Sequence, residues 1–199
     1  MKRATNHLKK ADPVLAAIIE RVGPFTMQYR EPVFQTLVRS IVYQQLNGKA
    51  ALTILNRVLA AAKPMLGNDG PLTPEAILKL RPQKMRALGL SQQKVSYIRE
   101  LARMTRNGEI QFERLAELED ADVIAHLTRV KGVGVWTVHM FLVFALRRPD
   151  VLPVGDLGVR MAMKKAYGFA ELPRETGVRR NCPRFPDFSI SPDFAAKKV

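Results

Sequence analysis

Apolar side chains along this chain recur at intervals of three and four, not two. Phe34, Leu37, Val38, Ile41 and Val42 make one such run, and Ala51, Ile54, Leu55, Val58 and Leu59 make the next. That spacing puts apolar positions on one face of a helix, so each run predicts an amphipathic α-helix. Asn47-Gly48 separates the two, and Pro64 closes the second. Val95, Ile98, Leu101, Ala102 and Thr105 predict another helix, opened by Ser91 as N-cap and closed near Gly108. Val123, Ile124, Leu127 and Val130 predict a shorter one, and Val135, Val138, Phe141, Leu142 and Ala145 one more, stopped by Pro149. Between Asn68 and Gly89 three prolines break the pattern into short helical pieces. Period-two alternation of β-branched residues is scarce throughout, so the fold class is all-α. From Pro173 to Val199 four prolines, mixed charges and no sustained apolar period predict an irregular tail.

Charge narrows the class of partner. The 199 residues carry 32 Lys and Arg against 18 Asp and Glu, a net charge of +14, and the pI is about 10.3. A surface this positive suits nucleic acid or an anionic membrane. The longest apolar run, Val133 to Leu146, contains His139 and is shorter than the roughly 20 residues needed to span a bilayer. No membrane association is expected, and nucleic acid is the partner to pursue. The single cysteine, Cys182, excludes a disulfide framework, a cysteine-built zinc site and a four-cysteine iron–sulfur cluster within the chain. The basic N-terminus lacks an apolar stretch after its charges, so no secretory signal is expected and the cytoplasm or nucleoid is the expected location.

The densest chemistry lies between Leu127 and Tyr167. Lys131-Gly132-Val133-Gly134 separates two predicted helices, its glycines permitting torsions that side chains obstruct. Amides at the start of the following helix point outward and suit a phosphate, and Lys131 adds charge. A GxG of this kind is equally what a tight interhelical turn looks like. Further on, Gly155-Asp156 stands immediately before Leu157-Gly158-Val159-Arg160, where another helix begins, so Asp156 reads as an N-cap. A carboxylate held by helix N–H groups stays ionised at neutral pH and can serve a site as well as a cap.

Taken together, the Val130–Gly134 hairpin, Trp136-Thr137 and the Leu152-Pro153-Val154-Gly155-Asp156 segment resemble the helix-hairpin-helix DNA glycosylase superfamily. The likeness is to its DNA-3-methyladenine glycosylase II (AlkA-like) branch. Upstream, Ile41-Val42-Tyr43-Gln44-Gln45-Leu46 with Asn47-Gly48-Lys49-Ala50-Ala51 resembles that branch's wedge region. The resemblance covers roughly Leu8 to Leu172. It implies two helical lobes with the active cleft between them: residues 32–150 ending in the hairpin, and residues 1–31 with 151–172, leaving 173–199 as the irregular tail. It also implies roles. Asp156 would face the anomeric carbon of a flipped nucleotide, and Trp136, with Met140 a turn on, would line the base pocket. Leu46 would fill the gap in the duplex, and Lys131, Gly132 and Gly134 would bind a backbone phosphate. A monovalent cation, Na+ or K+, would sit on the main-chain carbonyls of Thr128, Val130 and Val133. No other cofactor is implied, and no iron–sulfur cluster. Read without the resemblance, Trp136 is equally a core aromatic and Leu46 the last apolar residue of its helix.

The implied reaction is hydrolysis of the N-glycosidic bond of alkylated purines, such as 3-methyladenine, in double-stranded DNA during base excision repair. Sugar hydrolysis usually takes two carboxyl groups. A ring-alkylated base is already cationic and leaves neutral, so one carboxylate suffices to support the sugar cation and orient water. Bifunctional relatives place a lysine just after the hairpin glycines to form a Schiff base. Here Trp136 stands in that region, which implies a monofunctional enzyme without lyase activity. A monomer is expected. The alternative is a non-catalytic helix-hairpin-helix DNA-binding module with a defective C-terminal lobe, since past Gly168-Phe169 the chain departs from the family pattern. Lys49, Lys94, Arg99, Lys131 and Arg160 are candidate phosphate grips, and an RNA-binding role lacks any aromatic platform.

Overall fold

Helical periodicity is realised almost everywhere it was read. The computed structural model describes residues 2–66 and 70–181. In chain order these form α1 (Lys2–Ala11), α2 (Pro13–Val22), α3 (Phe34–Tyr43), α4 (Gly48–Ala62), α5 (Pro74–Lys79), α6 (Pro82–Ala87), α7 (Gln92–Arg106), α8 (Asp120–Leu127), α9 (Val135–Phe144), α10 (Leu157–Tyr167) and α11 (Glu175–Asn181). Two single 3₁₀ segments, Lys63–Met65 and Phe112–Glu117, lie between them. Among the described residues there is no β-strand. The chain groups into two units, 28–149 and 1–27 with 150–199.

The larger unit has the apolar core. Phe34, Leu37, Val38, Ile41 and Val42 of α3 are all buried, and α3 packs against α4, α7 and α9. From α4 come Ala51, Leu55, Val58 and Ala62, and from α7 Val95, Ile98, Leu101, Ala102 and Met104. Phe112 joins two of these helices, meeting Phe34 of α3 edge-on at 6.4 Å and Phe141 of α9 at 6.0 Å, the quadrupole-favoured arrangement for rings. Helix ends are closed by side chains of the expected kinds. Ser91 Oγ accepts the Lys94 amide at 3.2 Å and Asn47 Oδ1 accepts the Ala50 amide at 2.9 Å. Arg99 and Arg148 close C-terminal carbonyls, Arg99 donating to Leu80 O at 2.8 Å and Arg148 to Leu118 O at 2.6 Å.

The smaller unit is built differently. Its described apolar burial rests on Val154 and Val178, while α2 and α10 carry no fully buried residue at all. Polar ties do more of the work. Asp12 caps α2, accepting the amides of Val14 at 2.8 Å and Leu15 at 3.0 Å, and its other oxygen accepts the Tyr167 hydroxyl of α10 at 2.7 Å. Burial opposes ionisation of Asp12, but the Tyr167 hydroxyl and the two amides outweigh it and hold its pKa below the ordinary 3.8. A carboxylate with a depressed folded pKa stabilises the fold fully above 3.8, and that stability is lost as pH falls through the lower folded value. Asp12→Ala is therefore expected to cost about 1 kcal/mol at neutral pH through the lost cap, and to flatten the acid limb of the stability profile, as read by urea unfolding from neutral to acid pH.

The segment from Pro173 onward differs from its irregular expectation. Residues Glu175–Asn181 form α11, with Val178 fully buried. Pro173 precedes this helix instead of interrupting it, and its carbonyl accepts Arg160 Nε of α10 at 2.8 Å. One tie to a neighbouring helix and one buried valine thus organise a stretch whose prolines read as breakers. The rest of the expected tail, 182–199, lies outside the described residues.

Candidate active site

Leu46 does not end a helix. α3 stops at Tyr43, and the next residues form a tight turn in which the Leu46 amide donates to Tyr43 O at 3.3 Å. Gln44 sits at φ −53, ψ 129 and Gln45 at φ 55, the torsions of a type II turn, which ordinarily asks for glycine at its third position. The turn lifts Leu46 out to 39% exposure, directly ahead of the Asn47 cap of α4.

The hairpin is a second turn of the same type. The Val133 amide donates to Val130 O at 3.0 Å, and Gly132 takes φ +85. Gly132 is required twice over, because a Cβ there would also overlap the Tyr97 ring of α7. Gly134 is different: no atom lies within 4 Å of where its Cβ would stand. It is the N-cap of α9, which has no side-chain cap, so the first-turn amides of α9 open beside a bare glycine. Lys131 is exposed at the turn. Trp136, in the first turn of α9, is 47% exposed and is not a core aromatic, whereas the next residue, Thr137, is buried. Met140, one turn on, is half-buried.

Wedge turn and hairpin are brought together. Gln44 Nε2 donates to Gly132 O at 2.8 Å. Lys94 of α7 donates through Nζ to Val42 O at 2.8 Å and Gln44 O at 2.7 Å, and its burial lowers its pKa below the ordinary lysine value. Of the five cations read as phosphate grips, Lys94, Arg99 and Arg160 are thus committed to main-chain carbonyls, while Lys49 and Lys131 stand exposed. Lys94 is thus a clamp on the wedge turn and not the phosphate grip its charge suggested; Gln44, inside the wedge motif, and Tyr97 are the further members of this group, and Tyr97 carried no sequence signal.

Two of the carbonyls expected to hold a cation lie where α8 ends: Thr128 is its C-cap, its own amide donating to Ile124 O, and Val130 O accepts the Val133 amide and keeps a second lone pair. Carbonyl oxygens are hard donors and suit hard cations rather than the metals that seek thiolate or imidazole. Among the described residues no cluster of His, Cys, Asp or Glu is placed to hold a metal.

Asp156 belongs to the smaller unit. It caps α10, its Oδ1 accepting the Val159 amide at 2.8 Å, and its own amide donates to Pro153 O at 2.8 Å. The proline-containing turn and the helix start therefore fix both backbone and carboxylate, and the residue stays half-exposed. Leu157 and Met161 follow on α10, 59% and 58% exposed. Elsewhere, an open groove of about 740 Å³ lined by Arg57, Lys79, Arg81, Lys84, Met65 and Leu88, among others, contains none of the candidate site residues.

Residues 38–186 match the family described as HhH-GPD superfamily base excision DNA repair protein. DNA-3-methyladenine glycosylase 1 of Schizosaccharomyces pombe is 33% identical over 91% of this chain and 79% of its own length. Among solved structures, the Schizosaccharomyces pombe 3-methyladenine DNA glycosylase in complex with abasic DNA matches with a TM-score of 0.77 at 32% identity, covering 90% of this chain and 87% of that one. A DNA-3-methyladenine glycosidase from Bacillus halodurans matches with a TM-score of 0.73 at 36% identity, covering 85% of this chain and 75% of that one.

Proposed function

The chain belongs to the HhH-GPD superfamily of base excision DNA repair proteins, and from that premise we propose that it is a monofunctional DNA-3-methyladenine glycosylase of the AlkA-like kind, releasing alkylated purines from duplex DNA. The observation that carries the reading is Asp156. It is a half-exposed carboxylate whose position is fixed by Val159 and Pro153, in a chain that also presents a half-exposed tryptophan and a bare-glycine helix start.

The lesion lies inside a base stack, so it must be extruded, at a cost of a few kcal/mol. Leu46, held out by its turn, occupies the vacated space, as apolar wedges do when they unstack a base step. The α9 amides at Gly134, with Lys131 beside them, grip a backbone phosphate, because a helix start is positive and its first amides lack helical acceptors. A monovalent cation on Thr128, Val130 and Val133 would add positive potential at this turn. The indole of Trp136 attracts the cationic ring of an alkylated purine through its electron-rich face. Such a base departs neutral and needs no acid. Asp156 supports the positive charge growing on the sugar and orients or deprotonates the attacking water. The water delivers hydroxyl to the anomeric carbon, and the products are a free base and an abasic strand.

An amine is needed for strand cleavage by Schiff-base chemistry, and Trp136 offers none where bifunctional relatives carry their lysine. The test is incubation with methylated duplex DNA. The expected outcome is free 3-methyladenine and strands that stay whole until alkali is added. Nicking without alkali, or a borohydride-trapped adduct, would overturn the monofunctional reading. Duplex binding with no base release would favour a non-catalytic module.

A further inference from the structure

We propose that Lys94 is a positioning residue for the Leu46 wedge: its ammonium locks the Tyr43–Leu46 turn to α7 so that wedge and phosphate hairpin are presented as one rigid piece. The inference rests on the reading of Leu46 as a wedge, and it gives a function to a lysine that charge alone would assign to DNA.

The geometry is a closed circuit that leaves α7 and returns to it. Ser91 Oγ fixes the Lys94 amide at the start of α7, 3.2 Å away. From there the side chain reaches across to α3, where Nζ donates to Val42 O at 2.8 Å and Gln44 O at 2.7 Å. The last carbonyls of a helix have no amide to accept, and Lys94 supplies the missing donors with two of its three N–H groups. Gln44, now anchored, sends Nε2 to Gly132 O at 2.8 Å. Gly132 in turn lies against the ring of Tyr97, three residues on from Lys94 on α7. One helix thus carries the clamp for the wedge turn and the seat for the hairpin.

The clamp answers a need. Gln45 has φ 55, a region that disfavours any residue with a β-carbon, and such torsions persist only where surroundings over-determine them. Beyond Lys94, the turn is held by two long main-chain bonds, Leu46 N–H to Tyr43 O at 3.3 Å and Gln44 N–H to Ile41 O at 3.4 Å, and by the Gln44 side chain on Gly132 O. Without the ammonium, Gln45 is free to relax toward negative φ, and Leu46 would yield to the base stack instead of displacing it. A lysine committed in this way adds little to phosphate affinity.

Lys94→Met keeps the stem and removes the ammonium. Under single-turnover conditions it is expected to slow base release from a normally paired lesion by about tenfold to a hundredfold, the usual weight of hydrogen bonds to a charged group. The same lesion opposite a gap or mismatch, where eversion costs least, should be released within about threefold of the wild-type rate, and Lys94→Arg should restore much of the difference. The slope of duplex affinity against salt should not change, whereas a lost phosphate contact would lower it by about one. Equal slowing on both substrates, or a shallower salt slope, would overturn the proposal. A second arm needs no activity: in the free protein, amide exchange at Leu46 and Val133 should quicken in Lys94→Met, and unchanged exchange would overturn it. If the wild type releases no base, the enzyme reading fails while this arm still decides on Lys94. Should Lys94→Met not fold, Gln44→Met, which cuts only the tie to Gly132, is expected to act in the same direction on both readouts.

Discussion

Asp156→Asn is expected to lower base release from methylated duplex DNA by about 10²–10³-fold, the scale on which removal of one electrostatic stabiliser is felt at a developing charge. The substitution is chosen for what it leaves alone. Asparagine is as good an N-cap as aspartate, and its Oδ1 can keep accepting the Val159 amide now held at 2.8 Å. The helix start is preserved and only the negative charge goes. Melting temperature and duplex affinity should therefore match the wild type while turnover, read by chromatography of the freed 3-methyladenine, collapses. Equal turnover in the two proteins would remove Asp156 from the chemistry and leave it a cap. Asp156→Ala is the less informative change, because it costs about 1 kcal/mol of capping as well.

Gly132→Ala is expected to destabilise the protein by roughly 2–5 kcal/mol, combining about 1–2 for a β-carbon in the left-handed region with about 1–3 for overpacking. Both terms are visible in the structure: φ is +85, and the new methyl would overlap the Tyr97 ring. Tyr97 cannot retreat cheaply, since the overlap reaches Cγ at the root of its ring and not only the ring's far edge. Gly134→Ala is the matched control. With open space at its Cβ position and a negative φ of −89, alanine there should leave urea unfolding within about 0.5 kcal/mol of wild type, as for ordinary surface changes. Its cost should appear on binding instead, as weaker duplex affinity, because the methyl occupies the approach to the α9 amides. A Gly132→Ala protein as stable as the wild type would contradict the close packing of hairpin and α7.

Some of this architecture was plain from residue order alone. The three-and-four spacing of Phe34 to Val42 and of Val95 to Ala102 marks α3 and α7 because both helices bury one face against a core, and burial is what writes periodicity into a sequence. Asp156 and Ser91 announced helix starts because capping is a local hydrogen bond, satisfied within three residues. Other features depend on partners far along the chain and left no local trace. Nothing about Gln45 says that its φ is positive, since the residue usually placed there is glycine; Lys94, some fifty positions away, holds it. Lys94 itself looked like surface charge because a lysine's reach, not its neighbours in sequence, decides where its ammonium ends. α11 was hidden for the opposite reason: Pro173 and the prolines after it carry strong local signals of a break, and one arginine contact with one buried valine overrides them.

The near-absence of buried side chains in α2 and α10 has a consequence for how this protein meets heat. Regions open in order of how little apolar surface they bury, so among the described elements α2 and α10, the latter capped by Asp156, are expected to open before α3 and α7. Tolerance to warmth should then hang on ties such as Asp12 to Tyr167 and the buried Val178, and a lineage adapting to hotter surroundings would gain most by burying more of α2 and α10, with the hairpin and its helical bed left as they are.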